Sequence, residues 1–176
     1  SRLSKDNLRT SLGFSKNDVV IGIVARLYKY KGHEYAIKAM EHSNDNTKLV
    51  IVGDGNERNA LQQFSKELGL TDRVIFLGER RDVKNILGAL DIFLLPSLRE
   101  GLSGAIMEAM ANGLPVIAAD IQENHELIEH EETGILVRPQ SSDAIVDAID
   151  RLIKDKKLAK ELGKNAKNKI KKEYSI

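Results

Sequence analysis

The sequence predicts an α/β fold, a doubly wound parallel sheet of about six strands with helices on both faces. Three observations carry that prediction. Short β-branched runs recur along the chain, each bounded by Gly, Pro or Asp. The segments between them have the length and apolar period of helices. Consecutive strands are therefore joined by crossovers, which make neighbouring strands parallel.

Residues 1–17 are polar and helix-like, with Leu3, Leu8 and Leu12 on a loose face. Residues 19–24 (VVIGIV) read as the first buried strand and 33–42 as the helix after it. A second strand at 48–52 (KLVIV) is followed by a helix over about 56–68. The third strand, 73–77 (RVIFL), leads to a helix over 83–90, and the fourth, 91–95 (DIFLL), to a helix over 103–112. The fifth, 115–119 (PVIAA), precedes a short helix over 124–129, and 134–137 (GILV) is the sixth. Two helices close the chain. The one over 142–154 starts from a cap at Ser141 or Ser142 and puts Ala144, Ile145, Ala148, Ile149 and Leu152 on one face. The last, 158–174, is strongly basic and amphipathic. No internal repeat, low-complexity stretch or linker interrupts this order, so residues 1–176 read as a single Rossmann-like domain.

Composition removes several function classes. With 176 residues and 41% hydrophobic content, the chain can bury a core of its own. Lys plus Arg total 27 against 26 acids, a balance unlike that of a dedicated nucleic-acid binder. There is no Cys, so disulfides and thiolate metal sites are excluded. The four His residues, at 33, 42, 125 and 130, show no i,i+4 ligand spacing, and no metal is expected. No signal peptide or membrane-length apolar run is present, so a cytoplasmic location is expected.

In an open α/β sheet the loops that follow the strands share one edge, where ligands sit. After the first strand, Arg26 and Lys31 flank a turn that ends in a helix start near Gly32 and His33. An Arg fork, a Lys point charge and a helix N-terminus suit a phosphate or pyrophosphate, and the same residues suit a solvated basic loop. After the second strand, Gly53-Asp54-Gly55 permits close approach to a ligand or a plain tight turn. Neither loop is a dinucleotide fingerprint or a phosphate-binding P-loop, so nicotinamide and P-loop chemistry lose their main support. After the third strand, Glu79 reads as surface, while Arg80 and Arg81 suit either the rim of a base site or a charged turn.

The stretch after the fourth strand, PSLREGLSGAIMEAMANGLP over 96–115, is the most informative. Glu100 lies in the loop and Glu108 on the helix, with seven residues between them. On one helix they would be ~80° apart, whereas with Glu100 in the loop both carboxylates can meet one extended ligand. Leu102, Ser103 and Gly104 supply amides at the helix start, which favour an anion, and a carboxylate such as Glu108 suits sugar hydroxyls. Taken alone, the pair is equally a helix-start acid and an ordinary helix Glu. After the fifth strand, His125 and Glu126 either reach the cleft or start a helix.

Together these stretches resemble the C-terminal, donor-binding half of a retaining GT-B glycosyltransferase of family 4. The resemblance runs through ARLYKYKGHEYAIKAM, LVIVGDGNER, VIFLGERRDV, ALDIFLLPSLREGLSGAIMEAMANGLPVIA and TGILV, nearly the whole chain. Its most specific part is the Glu100 and Glu108 pair followed by AMANGLPVIA. The resemblance implies that Arg26 and Lys31 neutralise the donor's diphosphate and that the amides of Leu102, Ser103 and Gly104 help bind phosphate and sugar. It implies Glu100 at the transferred sugar as the catalytic residue, Glu108 at the ribose, Gly53 in the donor site and Arg81 beside the base. The substrate implied is a UDP-, GDP- or ADP-sugar, with no cofactor and no metal ion.

Two departures stand out. Gln122-Glu123 replaces a Gly-Gly pair common in the family before the residue matching Glu126, and Ala25 replaces a Gly before Arg26. Family members also carry a preceding acceptor-binding domain and a C-terminal crossover helix. The chain accordingly reads as an excised domain or one of two subunits, inactive or nearly so alone. The competing readings are a GT-B epimerase or phosphorylase, and a non-catalytic nucleotide-sugar-binding subunit paired with an acceptor chain.

Overall fold

The structure is a computed structural model and describes residues 5–174. Six strands form one sheet: β1 (Val19–Val24), β2 (Thr47–Val52), β3 (Val74–Gly78), β4 (Ile92–Leu95), β5 (Val116–Ala119) and β6 (Ile135–Val137). Their order is β3-β2-β1-β4-β5-β6, and every pair is parallel. The helices are α1 (Lys5–Ser11), α2 (His33–Glu41), α3 (Arg58–Glu67), α4 (Val83–Ala89), α5 (Gly104–Ala111), α6 (Ser142–Lys154) and α7 (Lys156–Glu173). The chain winds outward through β2 and β3, returns, and winds the other way through β5 and β6. Right-handed crossovers in opposite directions cover both faces of the sheet with helices.

The strands are apolar because they are buried on both sides. Ile21, Ile23, Leu49, Ile51, Phe93, Leu94 and Leu95 are almost wholly enclosed. Each such side chain contributes roughly 1.5–3 kcal/mol by leaving water. Gly22 interrupts VVIGIV because a Cβ there would lie 2.3 Å from Leu90 Cδ1. At the N-terminal edge of the sheet, Asp91 accepts from the Val20 amide at 2.8 Å and pairs with buried Arg9 at 3.2 Å, which ties α1 to β1 and β4. Leu8 faces the core, while Leu3 of the same expected face, and residues 175–176, lie outside the described residues.

Three local expectations differ. Residues 124–129 do not form an α-helix. Gln122–Glu126 is a 3₁₀ turn, because the buried Asn124 side chain donates to the Ala119 carbonyl at 2.9 Å and folds the loop back on β5. The final helix starts at Lys156 rather than 158, since Asp155 caps it by accepting from the Leu158 amide at 3.0 Å. A further 3₁₀ turn, Lys29–Lys31, precedes α2.

Candidate functional site

The strand order reverses between β1 and β4, and the crevice beyond their carboxyl ends is where such sheets bind ligands. The β1 loop, residues 25–32, and the β4 loop, residues 96–103, face each other there. They are fastened by their backbones. The Leu98 amide donates to the Tyr30 carbonyl at 2.7 Å. Gly32 sits at φ 75°, with a virtual Cβ only 2.2 Å from the Pro96 carbonyl oxygen, so no other residue fits this junction without moving one loop.

That fastening brings Lys31 and Glu100 together. Lys31 Nζ lies 2.6 Å from Glu100 Oε2, with 16% and 9% of their side chains exposed. Beside the pair, the Tyr30 ring carries the Lys31 ammonium at 5.4 Å and the Arg99 guanidinium at 4.6 Å. Tyr30, Lys31, Arg99, Glu100 and Gly101 line an open hollow of about 280 Å³. The pairing of Lys31 with Glu100 was not legible as a contact, because 69 residues separate them in sequence.

Helix α5 opens into the same crevice. The Ser103 hydroxyl is buried and accepts from the Ile106 amide at 3.1 Å, so it serves as the N-cap. Among the described residues, the amides of Leu102, Ser103 and Gly104 have no hydrogen-bond acceptor. They form an anion-binding start of the kind a helix dipole reinforces. Leu102 is 51% exposed, the one large apolar side chain so exposed among the described residues. Glu108 is exposed further along α5, with no ion pair among the described residues.

Of the remaining predicted residues, Arg26 and Gly53 fall in an adjoining cleft of about 450 Å³, lined also by Tyr28, Glu79, Arg80 and Val83 among others. Arg26 donates to the Tyr28 hydroxyl at 3.0 Å, and this bond raises the guanidinium above its ordinary range. The Tyr28 and Tyr30 rings, 6.1 Å apart, stand between the cleft and the hollow. Gly53 has φ 130°, and its virtual Cβ would lie 2.0 Å from the Ala25 carbonyl oxygen. The glycine is thus demanded by the neighbouring backbone. Arg80 grips Asp82 through two bonds of 2.8 and 2.7 Å, which hold the Asp82 carboxyl below its usual range. Arg80 and Glu79 line the cleft, whereas Arg81 is exposed and is not among its lining residues. His125 pairs with Asp120, and both His125 and Glu126 are exposed.

Two buried polar groups behind the crevice were not singled out from sequence. The Ser97 hydroxyl is fully buried and has no hydrogen-bond partner among the described residues. His33, the first residue of α2, is 2% exposed, and neither ring nitrogen has a partner among the described residues. Burial, reinforced by the nearby Lys31 charge, pushes its pKa down to about 4. The imidazole is therefore neutral at neutral pH. The only signal for either is position, two residues beyond the site candidate Lys31 or beyond the strand end at Leu95.

The arrangement as a whole puts cations, free amides and carboxylates around one crevice, groups suited to an anion and to hydroxyl groups. Known proteins share the fold that carries it. The family described as Glycosyl transferases group 1 matches residues 4–169. The chain is 36% identical to a UDP-Gal:alpha-D-GlcNAc-diphosphoundecaprenol alpha-1,3-galactosyltransferase of Escherichia coli, over 99% of the chain and 46% of that protein. It superimposes on Anabaena HepE in complex with UDP-glucose with a TM-score of 0.91 at 32% identity, covering 95% of the chain and 47% of HepE. It also matches the C-terminal domain of the group 1 glycosyl transferase LpcC of Francisella tularensis, with a TM-score of 0.86 at 29% identity, covering 97% of the chain and 93% of that domain. The chain spans about half the length of the curated relatives it matches.

Proposed function

Because the chain belongs to the group 1 glycosyl transferases, we propose that it is the donor-binding half of a retaining glycosyltransferase and holds a nucleoside diphosphate sugar at the carboxyl edge of β1 and β4. The observation that carries the reading is the meeting of the Lys31–Glu100 pair with the unpartnered amides at the start of α5. Lys31 Nζ has three donors and uses one on Glu100, which leaves two for phosphate oxygens. The diphosphate lies against Lys31, Arg26 and the amides of Leu102, Ser103 and Gly104. Glu100 contacts the transferred sugar, and Glu108 takes the ribose hydroxyls. The base lies over the cleft near Gly53, at the rim that carries Arg80 and Arg81. Uridine is the favoured base, since HepE binds UDP-glucose.

In the transfer step, the bond between the anomeric carbon and the diphosphate breaks, and its electron pair stays on the diphosphate. An acceptor hydroxyl bonds to that carbon with retention and gives its proton to the departing diphosphate oxygen. Charge develops on the leaving diphosphate, and a cation plus fixed amide dipoles already aimed there stabilise it without reorganising. Glu100 keeps Lys31 oriented through their 2.6 Å contact. Groups that bind the acceptor come from outside this half, so the chain alone turns over no sugar or almost none.

Calorimetric titration of the chain with UDP tests the assignment. The wild type binds, and the double variant Arg26→Ala, Lys31→Ala loses at least about tenfold in affinity, of the size expected for charge-assisted bonds. Unchanged affinity in a variant that retains its helical circular dichroism would remove both residues from the diphosphate site.

A further inference from the structure

Helix α7 carries the largest concentration of charge in the protein, and the donor site makes no use of it. It holds eight lysines against two glutamates, a net charge of +6, while the whole chain is at +1. The other 158 residues therefore sum to −5. At about 100° per residue, Lys156, Lys157, Lys160, Lys164, Lys167 and Lys171 fall within an arc of about 100°. All six are exposed, and none makes an ion pair among the described residues. The adjoining side, with Leu162, Gly163, Ala166 and Ile170, is buried against the domain. Lys169, outside the stripe, is the helix's one lysine with a carboxylate partner, Glu129 at 3.3 Å.

Solubility alone does not explain this face. A solvated helix surface mixes signs, because like charges at i,i+3 and i,i+4 repel. Here successive stripe lysines stand three or four apart from Lys157 to Lys171. Lys156 and Lys157 also sit in the first turn, where the helix dipole disfavours cations and where there is no acid. The helix thus bears a repulsion that an anionic partner would relieve.

We infer that this stripe docks on an anionic lipid surface. The occupant follows from the chemistry of the stripe. It contains no Arg for forked phosphate recognition and no aromatic side chain for stacking on bases, so it lacks the usual means of reading a nucleic acid. A straight row of flexible point charges suits a diffuse planar anion, to which each Lys adds independently. Helix α7 is fixed rigidly to the domain, with a virtual Cβ on Gly163 only 2.0 Å from the Gly113 carbonyl oxygen. Its first turn lies at the sheet edge opposite the donor crevice, where Lys156 stands beside Val19, Asp91 and Ile92. Docking through α7 therefore holds the domain on the surface and leaves the crevice open.

Co-sedimentation with vesicles tests the proposal on the intact chain. Phosphatidylcholine vesicles containing phosphatidylglycerol bind the protein, pure phosphatidylcholine vesicles do not, and raised salt releases it. Replacing Lys157, Lys160, Lys164 and Lys171 together by Glu weakens partition by more than tenfold and leaves UDP affinity unchanged. The corresponding four Gln substitutions weaken it less and report on the same stripe should the Glu variant fold poorly. Equal binding to both vesicle types, wild-type partition by the Gln variant, or tighter binding to a short DNA duplex than to anionic vesicles would overturn the inference. UDP binding is independent of all three outcomes, so the donor-site reading stands or falls separately.

Discussion

His33 shows what burial beside the crevice costs a single polar group. The His33 ring is buried beside a cation with no hydrogen-bond partner, and its pKa in the fold is about 4. In the unfolded chain it is near the ordinary value of about 6.5. As pH falls below that value, the unfolded state takes up the proton first, and stability is lost until the folded pKa is reached. This one group therefore removes about 3 kcal/mol between about pH 6.5 and pH 4. Urea unfolding of the wild type and of His33→Leu at about pH 7 and pH 4.5 checks this, and the acid loss is smaller in the variant. An equal loss in both would mean that His33 is protonated or solvated in the fold. Lys31, Glu100 and Ser103 are readable as candidates from their loops. Their contacts are not, because pairing depends on β1 and β4 being neighbours, and no local pattern fixes strand order.

Close approach governs the elements around the site, and two glycines separate it from intrinsic propensity. Gly163 lies inside α7, where Gly is normally unfavourable, yet its Cβ would collide with the Gly113 carbonyl. Gly163→Ala forces α7 away from α5 and costs about 1–3 kcal/mol. Gly88, exposed in α4 with nothing within 4 Å of a virtual Cβ, has no such duty, and Gly88→Ala stabilises by about 0.5–1 kcal/mol. Opposite signs in chemical denaturation support the packing account, and a stabilising Gly163→Ala contradicts it. All six strands and the helices between them are visible in the sequence, since apolar runs and helical periods are local properties. The exceptions lie where side chains redirect the backbone. Asn124 turns the 122–126 segment into a 3₁₀ turn, and Asp155 starts α7 earlier than its apolar period suggests.

At the scale of the molecule, one reversal of winding direction creates the site. It places the loops after β1 and β4 side by side, and the Gly32–Pro96 contact locks them there before any ligand arrives. Rigid placement of a cation and helix amides is what electrostatic stabilisation of a leaving group requires. The same body separates its charges, with lysines on α7 and a net negative remainder. Among the described residues no helix is long and apolar enough to cross a membrane. The most direct test of the donor site is an amide chemical-shift map of the chain titrated with UDP. The account predicts the largest shifts in residues 26–32, 53–55 and 101–105, on both sides of the β1–β4 crevice. Shifts confined to any other edge of the sheet, or none at saturating nucleotide, would contradict it.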